Sequence, residues 1–497
     1  MKEIKELNKN LSRDLTSNTV NIRSILNNTS DLTVKYATVA GCPLCVITCE
    51  GMVDTQTIAD LIYRPLSALE YTALKPDELM QKIQSQLLIS VSQEQVETYE
   101  DLSGYFMSGF AIILADGVDY GVAVAVQGFN TRSVEKPLIH SNLRGSCEGF
   151  TENLRTNISL VRRRIKSPTF VVNTQNIGKR SNTAVSLCYL SDKADPKTVS
   201  DIEQRLKNIP VEFILESGYI EPFLQDGSNS LFTQIGTTER PDSFAAKLYD
   251  GRVGIMVDGT PYAMFLPLLF NEHFQTMDDY SGMTVFAAFN RGLKYAAFFM
   301  TILLPGLFVA VSNFNPELFP PTIIFNILSA EQKTPFTILT ECIIVIFIYE
   351  IMREAGLRLP SVVGHAVSII GGLVLGDIVV SVGLISAPIV LIIAFSAISS
   401  FVVPDLYPTI AVLRFLFVLA GGLFGIFGMT VLGIIFLFKA CAMSSYGVPY
   451  TAPLSPFTLR AMRDYFIRRN WLELVKSDVN INRLNGSDGK NTEENGG

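Results

Sequence analysis

Between residues 295 and 438 the chain carries five apolar runs long enough to reach across a lipid bilayer: 295–311, 336–352, 362–382, 384–403 and 412–438. A hydrocarbon core about 30 Å thick takes roughly 20 helical residues, so four of these runs suffice and the second is marginal unless its polar flanks extend it. The sequence therefore predicts an α-helical polytopic membrane domain over residues 291–440, with four to five helices. A polar N-terminal half of 290 residues precedes it.

Charge asymmetry orients these runs. Arg291 and Lys294 precede the first, whereas 312–334 carries Glu317, Glu331 and only Lys333; Arg353 and Arg358 follow the second, and Arg414 suits an inside turn before the last. Five full crossings would leave the C-terminal tail (441–497) outside, yet it carries Arg460, Arg463, Arg468, Arg469 and Lys476. The basic tail argues for the cytoplasmic side, and so for one run that does not cross fully. Gly371, Gly372, Gly376 and Gly383 with Pro388 make 362–403 the first candidate; a re-entrant segment at 319–328, beside Pro320 and Pro321, is the other.

A net charge of -7 and a pI near 5.3 give no reason to expect a nucleic-acid partner, which needs an excess of Lys and Arg. Seven cysteines spread over both halves do not form a secreted disulfide framework, and Cys42, Cys45 and Cys49 read as buried thiols of a strand pair. Residues 1–31 read as a polar, disordered tail without the apolar core of a signal peptide, which leaves the soluble half in the cytoplasm.

From residue 32 strand-like runs alternate with helical stretches, which predicts an α/β soluble half. Two series superpose. Asp54, Thr57, Asp60 and Arg64 match Asp195, Thr198, Asp201 and Arg205, and a later hairpin at Asp116-Gly117 matches one at Asp258-Gly259. These are two duplicated lobes, 32–144 and 169–290, joined by a basic helical linker, 145–168. Asp54 and Asp195 suit helix N-caps, and Asp-Gly suits tight hairpins. The run Arg162, Arg163 and Arg164 in the linker admits three readings: a solvated helix end, contact with anionic headgroups of membrane lipid, or contact with a neighbouring subunit. No nucleophile and base constellation, Walker loop or dinucleotide fingerprint accompanies the lobes, so neither enzymatic activity nor a cofactor is expected.

The linker stretch Glu148-Gly149-Phe150-Thr151-Glu152, with Leu154-Arg155-Thr156-Asn157 and the 162–165 run, is followed by Glu354-Ala355-Gly356-Leu357-Arg358-Leu359-Pro360 and a Gly-rich segment through Ala387-Pro388. In this order and spacing the chain resembles, over roughly residues 31–469, the A subunit of the GerA family of bacterial spore germinant receptors. The resemblance implies a site in the inner membrane of the endospore, a transporter-like B subunit and a lipoprotein C subunit as partners, and a homo-oligomeric ring that opens a route for cations when a nutrient is sensed.

Within the apolar runs, Glu341 lies deep enough to be the candidate for an ion pathway, whereas Glu350, near a cytoplasmic end, suits pairing with Arg353. Gly371, Gly372, Gly376, Gly421 and Gly425 are candidates for close helix packing or gating. The function expected is a membrane subunit of a nutrient germinant receptor that oligomerises and contributes a nutrient-gated cation-release pathway. The alternative is a secondary transporter or flippase holding a small solute in broken Gly-rich helices, which predicts saturable flux of that solute.

Overall fold

The computed structural model describes residues 9–69, 74–87, 92–128, 146–227, 230–358, 376, 378–457, 461–466, 468, 470, 472 and 480–484. Gly371 and Gly372 lie outside these residues. The chain forms two lobes rich in β-sheet followed by a helical region.

The first lobe contains α1 (Leu15–Ile25), β1 (Leu32–Val39), β2 (Cys42–Cys49), β3 (Gln93–Val96), α2 (Tyr99–Met107), β4 (Phe110–Ala115) and β5 (Gly121–Ala125). The second contains α3 (Leu154–Arg162), β6 (Phe170–Ile177), β7 (Thr183–Leu190), α4 (Pro196–Lys207), β8 (Gly236–Thr238), α5 (Pro241–Tyr249), β9 (Val253–Val257) and β10 (Ala263–Leu266). Both sheets are antiparallel and identically wired, β1-β2-β4-β5-β3 against β6-β7-β9-β10-β8.

Alternation along the strands builds a core on each face of each sheet. In the first lobe Leu44, Val46, Ile113 and Val122 face Ile58, Ile62 and Met80, while Cys45, Ile47, Ile112 and Leu114 face Leu15, Ile22, Leu102 and Phe106. Cys42, Cys45 and Cys49 are buried in β2, and burial pushes the Cys45 thiol up to about 12. Asp54 caps its helix through the N–H groups of Gln56 and Thr57, and Asp195 does so through that of Thr198. Gly117 and Gly259, at φ 89° and 84°, supply the left-handed residue of each Asp-Gly turn.

Two domain expectations are corrected by one relation. Residues 15–25 are not a disordered tail but α1, whose Leu15, Ile22 and neighbouring Leu26 are buried. The helix expected in 145–168 is α3, and it packs as part of the second lobe, the counterpart of α1. Asp116 Oδ1 accepts from Leu15 N at 3.1 Å, and Asp258 Oδ1 accepts from Leu154 N at 3.1 Å. Asn18 exchanges two hydrogen bonds with Ser12 as Asn157 does with Thr151. The repeat thus starts one helix earlier in each lobe than the polar sequence suggests, because α1 buries only a narrow apolar stripe.

The helical region comprises α6 (Thr284–Phe314), α7 (Pro321–Glu331), α8 (Ile338–Arg358), α9 (Ala387–Ser400) and α10 (Tyr407–Ala442). Thr284–Phe314 and Pro404–Ala442 are long and apolar enough to cross a membrane. The second is folded back on itself. Gly425 has φ 63° and ψ -154°, inside what would otherwise be one rod. Thr409, before it, donates to Leu231 O, and Phe436, after it, lies 5.2 Å from the Phe232 ring. Positions 27 residues apart on a straight helix would be about 40 Å apart; here they meet adjacent residues of the second lobe. α10 is a helical hairpin with Gly425 at its tip.

The hairpin brings both of its ends to the second lobe. Gly425 packs on Phe314 at the far end of α6, and Gly422 packs on Leu339 near the start of α8, so the far side is fixed by contact. The second leg then returns the chain to the lobes, where Arg468 donates to Asp279 O and Gly282 O, and Ile481 N to Asp250 O. The run 412–438, expected to be one span, is broken at Gly425 into two legs. Arg414 is not in a turn: it is buried in the first leg.

Candidate functional site: the charged collar and the ion pairs of the helices

Where the second lobe meets the helical region, isolated charges from distant parts of the sequence converge. Glu272, from the short helical turn Phe270–Phe274, accepts from Arg252 Nη2 at 2.7 Å, from Lys247 Nζ and from Leu269 N. Burial opposes its charge, but Arg252 and Lys247 outweigh burial and bring its pKa down to about 2. Beside it His273 faces the Tyr450 hydroxyl at 3.3 Å, and burial lowers its pKa to about 4.

One turn further on, Asp279 receives Arg291 at 3.2 Å and Lys294 at 3.8 Å, both from the first turns of α6. Arg291 also donates to Asp464, whose other oxygen takes the Tyr280 hydroxyl at 2.6 Å. These charges lie within the chain, paired and hydrogen-bonded as buried charges must be. Above them Phe274 stacks on Tyr295 at 3.9 Å and edges Phe298 and Phe270. The second lobe, the root of α6 and the C-terminal tail pack against one another here. A cleft of about 430 Å³ opens on its side between Glu221, Lys247, Lys294 and Asp405.

Inside the helices the polar groups form two sets. Glu350, on α8, takes Arg414 at 2.5 Å, the Tyr407 hydroxyl at 2.6 Å and Arg353 at 3.2 Å. The expected pairing with Arg353 is present, but Arg414 is the closer and the more deeply buried partner. Glu341, the candidate for the ion pathway, is buried near the far end. Its Oε2 accepts from Ser386 N at 2.9 Å, at the N-terminus of α9, where the helix dipole favours an anion. Its Oε1 has no hydrogen-bond partner among the described residues.

The glycine candidates separate. Gly421 faces Gly306 so closely that a Cβ on either would lie 2.5 to 2.6 Å from backbone oxygen of the other helix. Gly425 is the hairpin tip, and a Cβ on Gly376 would meet none of the described residues within 4 Å.

The arginine run divides, and Arg162 is corrected. Arg162 is wholly buried, and its Nε and Nη2 grip Asp31 of the first lobe at 2.7 to 3.0 Å while Nη1 donates to Phe170 O. A neighbouring subunit cannot reach it. Arg163 and Arg164 pair with Glu148 of their own chain at 3.2 and 2.6 Å. Burial opposes the Glu148 charge, yet the two guanidiniums prevail and hold its pKa below the usual carboxylate range. Sequence reading missed Asp31, Glu272, Asp279 and Asp464, since none lies within a helical turn of the arginine it pairs with, from 12 residues for Asp279 and Arg291 to 173 for Asp464 and Arg291.

The sequence profile of the family described as "Bacillus/Clostridium GerA spore germination protein" matches residues 20–479. An "uncharacterized membrane protein YfkQ" of Bacillus subtilis is 35% identical over 500 residues, covering 99% of this chain and 96% of that protein. "Spore germination protein KA" of the same organism is 37% identical over 431 residues, covering 86% and 79%. Among solved structures, the N-terminal domain of the A subunit of the Bacillus megaterium spore germinant receptor GerK3 is 30% identical, with a TM-score of 0.43 over 53% of this chain and 98% of that one.

Proposed function

We propose, from the premise that this chain belongs to the GerA family of spore germination proteins as an A subunit, that it is the membrane subunit through which a germinant receptor releases monovalent cations. It sits in the inner membrane of the endospore, with both lobes and the C-terminal tail on the cytoplasmic side. It works as a homo-oligomeric ring with a transporter-like B subunit and a lipoprotein C subunit, and it carries no enzymatic activity.

The observation that supports this reading is the collar. Arg291 and Lys294 on α6, Asp279 before it and Asp464 after α10 tie the ends of the long helices to the second lobe. A lobe displaced by a partner that has sensed a nutrient therefore changes helix packing directly. Nutrient binding shifts the closed and open populations only by its differential affinity for the two, and a rigid junction lets that difference reach the helices.

Glu341 belongs to the cation path in this account. Glu341→Gln keeps an acceptor for Ser386 N but removes the charge. In spores that rely on this chain, the variant slows nutrient-triggered potassium release while the subunits still assemble. Wild-type release kinetics would remove Glu341 from the path.

A further inference from the structure

Arg414, like Arg291 at the root of α6, is fully buried, but its surroundings are unlike those of a structural ion pair. It reaches Glu350 Oε1 at 2.5 Å through Nη2 and Ser396 Oγ at 3.4 Å through Nη1, while its Nε finds no hydrogen-bond partner among the described residues. The Tyr349 ring lies 5.2 Å from its guanidinium, with a hydroxyl that is likewise unpartnered. A buried pair of this kind adds little net stability over an apolar pair of the same volume, so stability alone does not account for it. An ionisable group at membrane depth with an incomplete shell points to function.

The carboxylate it occupies is built for a cation. Glu350 is flanked by the Tyr407 hydroxyl, 2.6 Å from Oε2, and Ser396 Oγ stands on the other side of the Arg414 guanidinium, itself donating to Thr301 O. These are hard oxygen donors from α8, α9, α10 and, through Thr301, α6. In this state Arg414 and Arg353, the latter also 3.7 Å from Glu354, occupy the Glu350 carboxylate and leave it no negative charge to offer a free cation. The cluster lies about one and a half turns beyond Thr409, which donates to Leu231 of the second lobe. Movement of that lobe acts on the very helix that carries Arg414.

We propose that Glu350, with the Tyr407 and Ser396 hydroxyls, is a binding site for a monovalent alkali cation, and that Arg414 is its tethered occupant in the closed state. Displacement of α10 by the second lobe withdraws the guanidinium and leaves the carboxylate to the permeant ion. The inference rests on the cation-release reading above and adds the site and the group that closes it.

The test uses spores in which this chain, with its partner subunits, is the sole germinant receptor, and reads potassium release with and without nutrient alongside the level of each variant. Arg414→Gln vacates the site and raises nutrient-independent release at least tenfold. Arg414→Lys keeps the charge but cannot span Glu350 and Ser396, and lowers the nutrient concentration for half-maximal release. Combining Arg414→Gln with Glu350→Gln abolishes the leak. Arg414→Gln that accumulates normally and stays shut until nutrient is added overturns the proposal. If that variant does not accumulate, Arg414→Lys with an unchanged nutrient threshold overturns it instead. Wild-type spores that release no potassium on nutrient addition would contradict the cation-release reading itself, a different failure.

Discussion

The guanidinium of Arg162 lies 2.7 to 3.0 Å from the carboxylate of Asp31, across the boundary between the two lobes, with both side chains withdrawn from water. Beside it Ser30 N donates to Val172 O at 2.8 Å, so a turn of the first lobe closes the open edge of β6 in the second. Removing one partner leaves the other charge buried and alone. Asp31→Ala is expected to cost about 3–5 kcal/mol, whereas the double change Asp31→Leu with Arg162→Met costs less than the single one. Thermal unfolding of the full chain in detergent checks both; equal losses for the single and double variants would place the stability elsewhere.

Acidification acts on the collar in two windows. His273 is buried with its pKa lowered to about 4, against an ordinary value of 6.5. Between these values the unfolded chain binds a proton that the folded chain refuses, so stability falls as pH drops from about 6.5 to about 4. Glu272 is lowered to about 2 from 4.5, so its contribution is complete above 4.5 and is lost as pH falls toward 2. Unfolding temperature against pH should show both declines, and His273→Gln should remove the upper one while leaving the lower.

Helix packing gives a contrast between glycines. Gly306→Ala or Gly421→Ala places a methyl 2.5 to 2.6 Å from backbone oxygen of the facing helix, which must move apart. A loss of about 1–3 kcal/mol is expected from overpacking. Gly433→Ala meets no described residue within 4 Å and should stabilise or leave stability unchanged, since alanine favours a helix. Detergent-solubilised variants compared by thermal aggregation report the difference.

The fold of α10 makes a topological prediction. Cys147 of the second lobe and Cys441 at the end of the returning leg should both react with a membrane-impermeant thiol reagent applied from the lobe side. Phe427→Cys, just past the Gly425 tip, should react from the opposite side only. Labelling of position 427 and Cys441 from the same face would rule out the hairpin.

How legible this was in the sequence varied with the range of the interaction. The strand pairs, the caps at Asp54 and Asp195, and the turns at Gly117 and Gly259 were readable because a few adjacent residues fix each of them. The duplication was readable from Asp54 to Asp258, but its first helix was not: α1 is mostly polar, and its anchor, Asp116, lies 101 residues away. Arg162 looked like one of three surface cations, and only its long-range partner, Asp31, distinguishes it. In the helical region the apolar runs were plain, yet a run of 27 residues with a glycine in its middle looks the same whether it crosses once or turns back. The basic tail carried the information that it turned.

The central claim is that nutrient sensing drives cation release through this subunit. Potassium efflux from vesicles holding the full chain with its B- and C-type partners tests it most directly, before and after addition of a nutrient that the assembly binds. The account predicts efflux that begins on nutrient addition, requires this chain and slows with Glu341→Gln. Saturable binding of the nutrient with no accompanying efflux would contradict it.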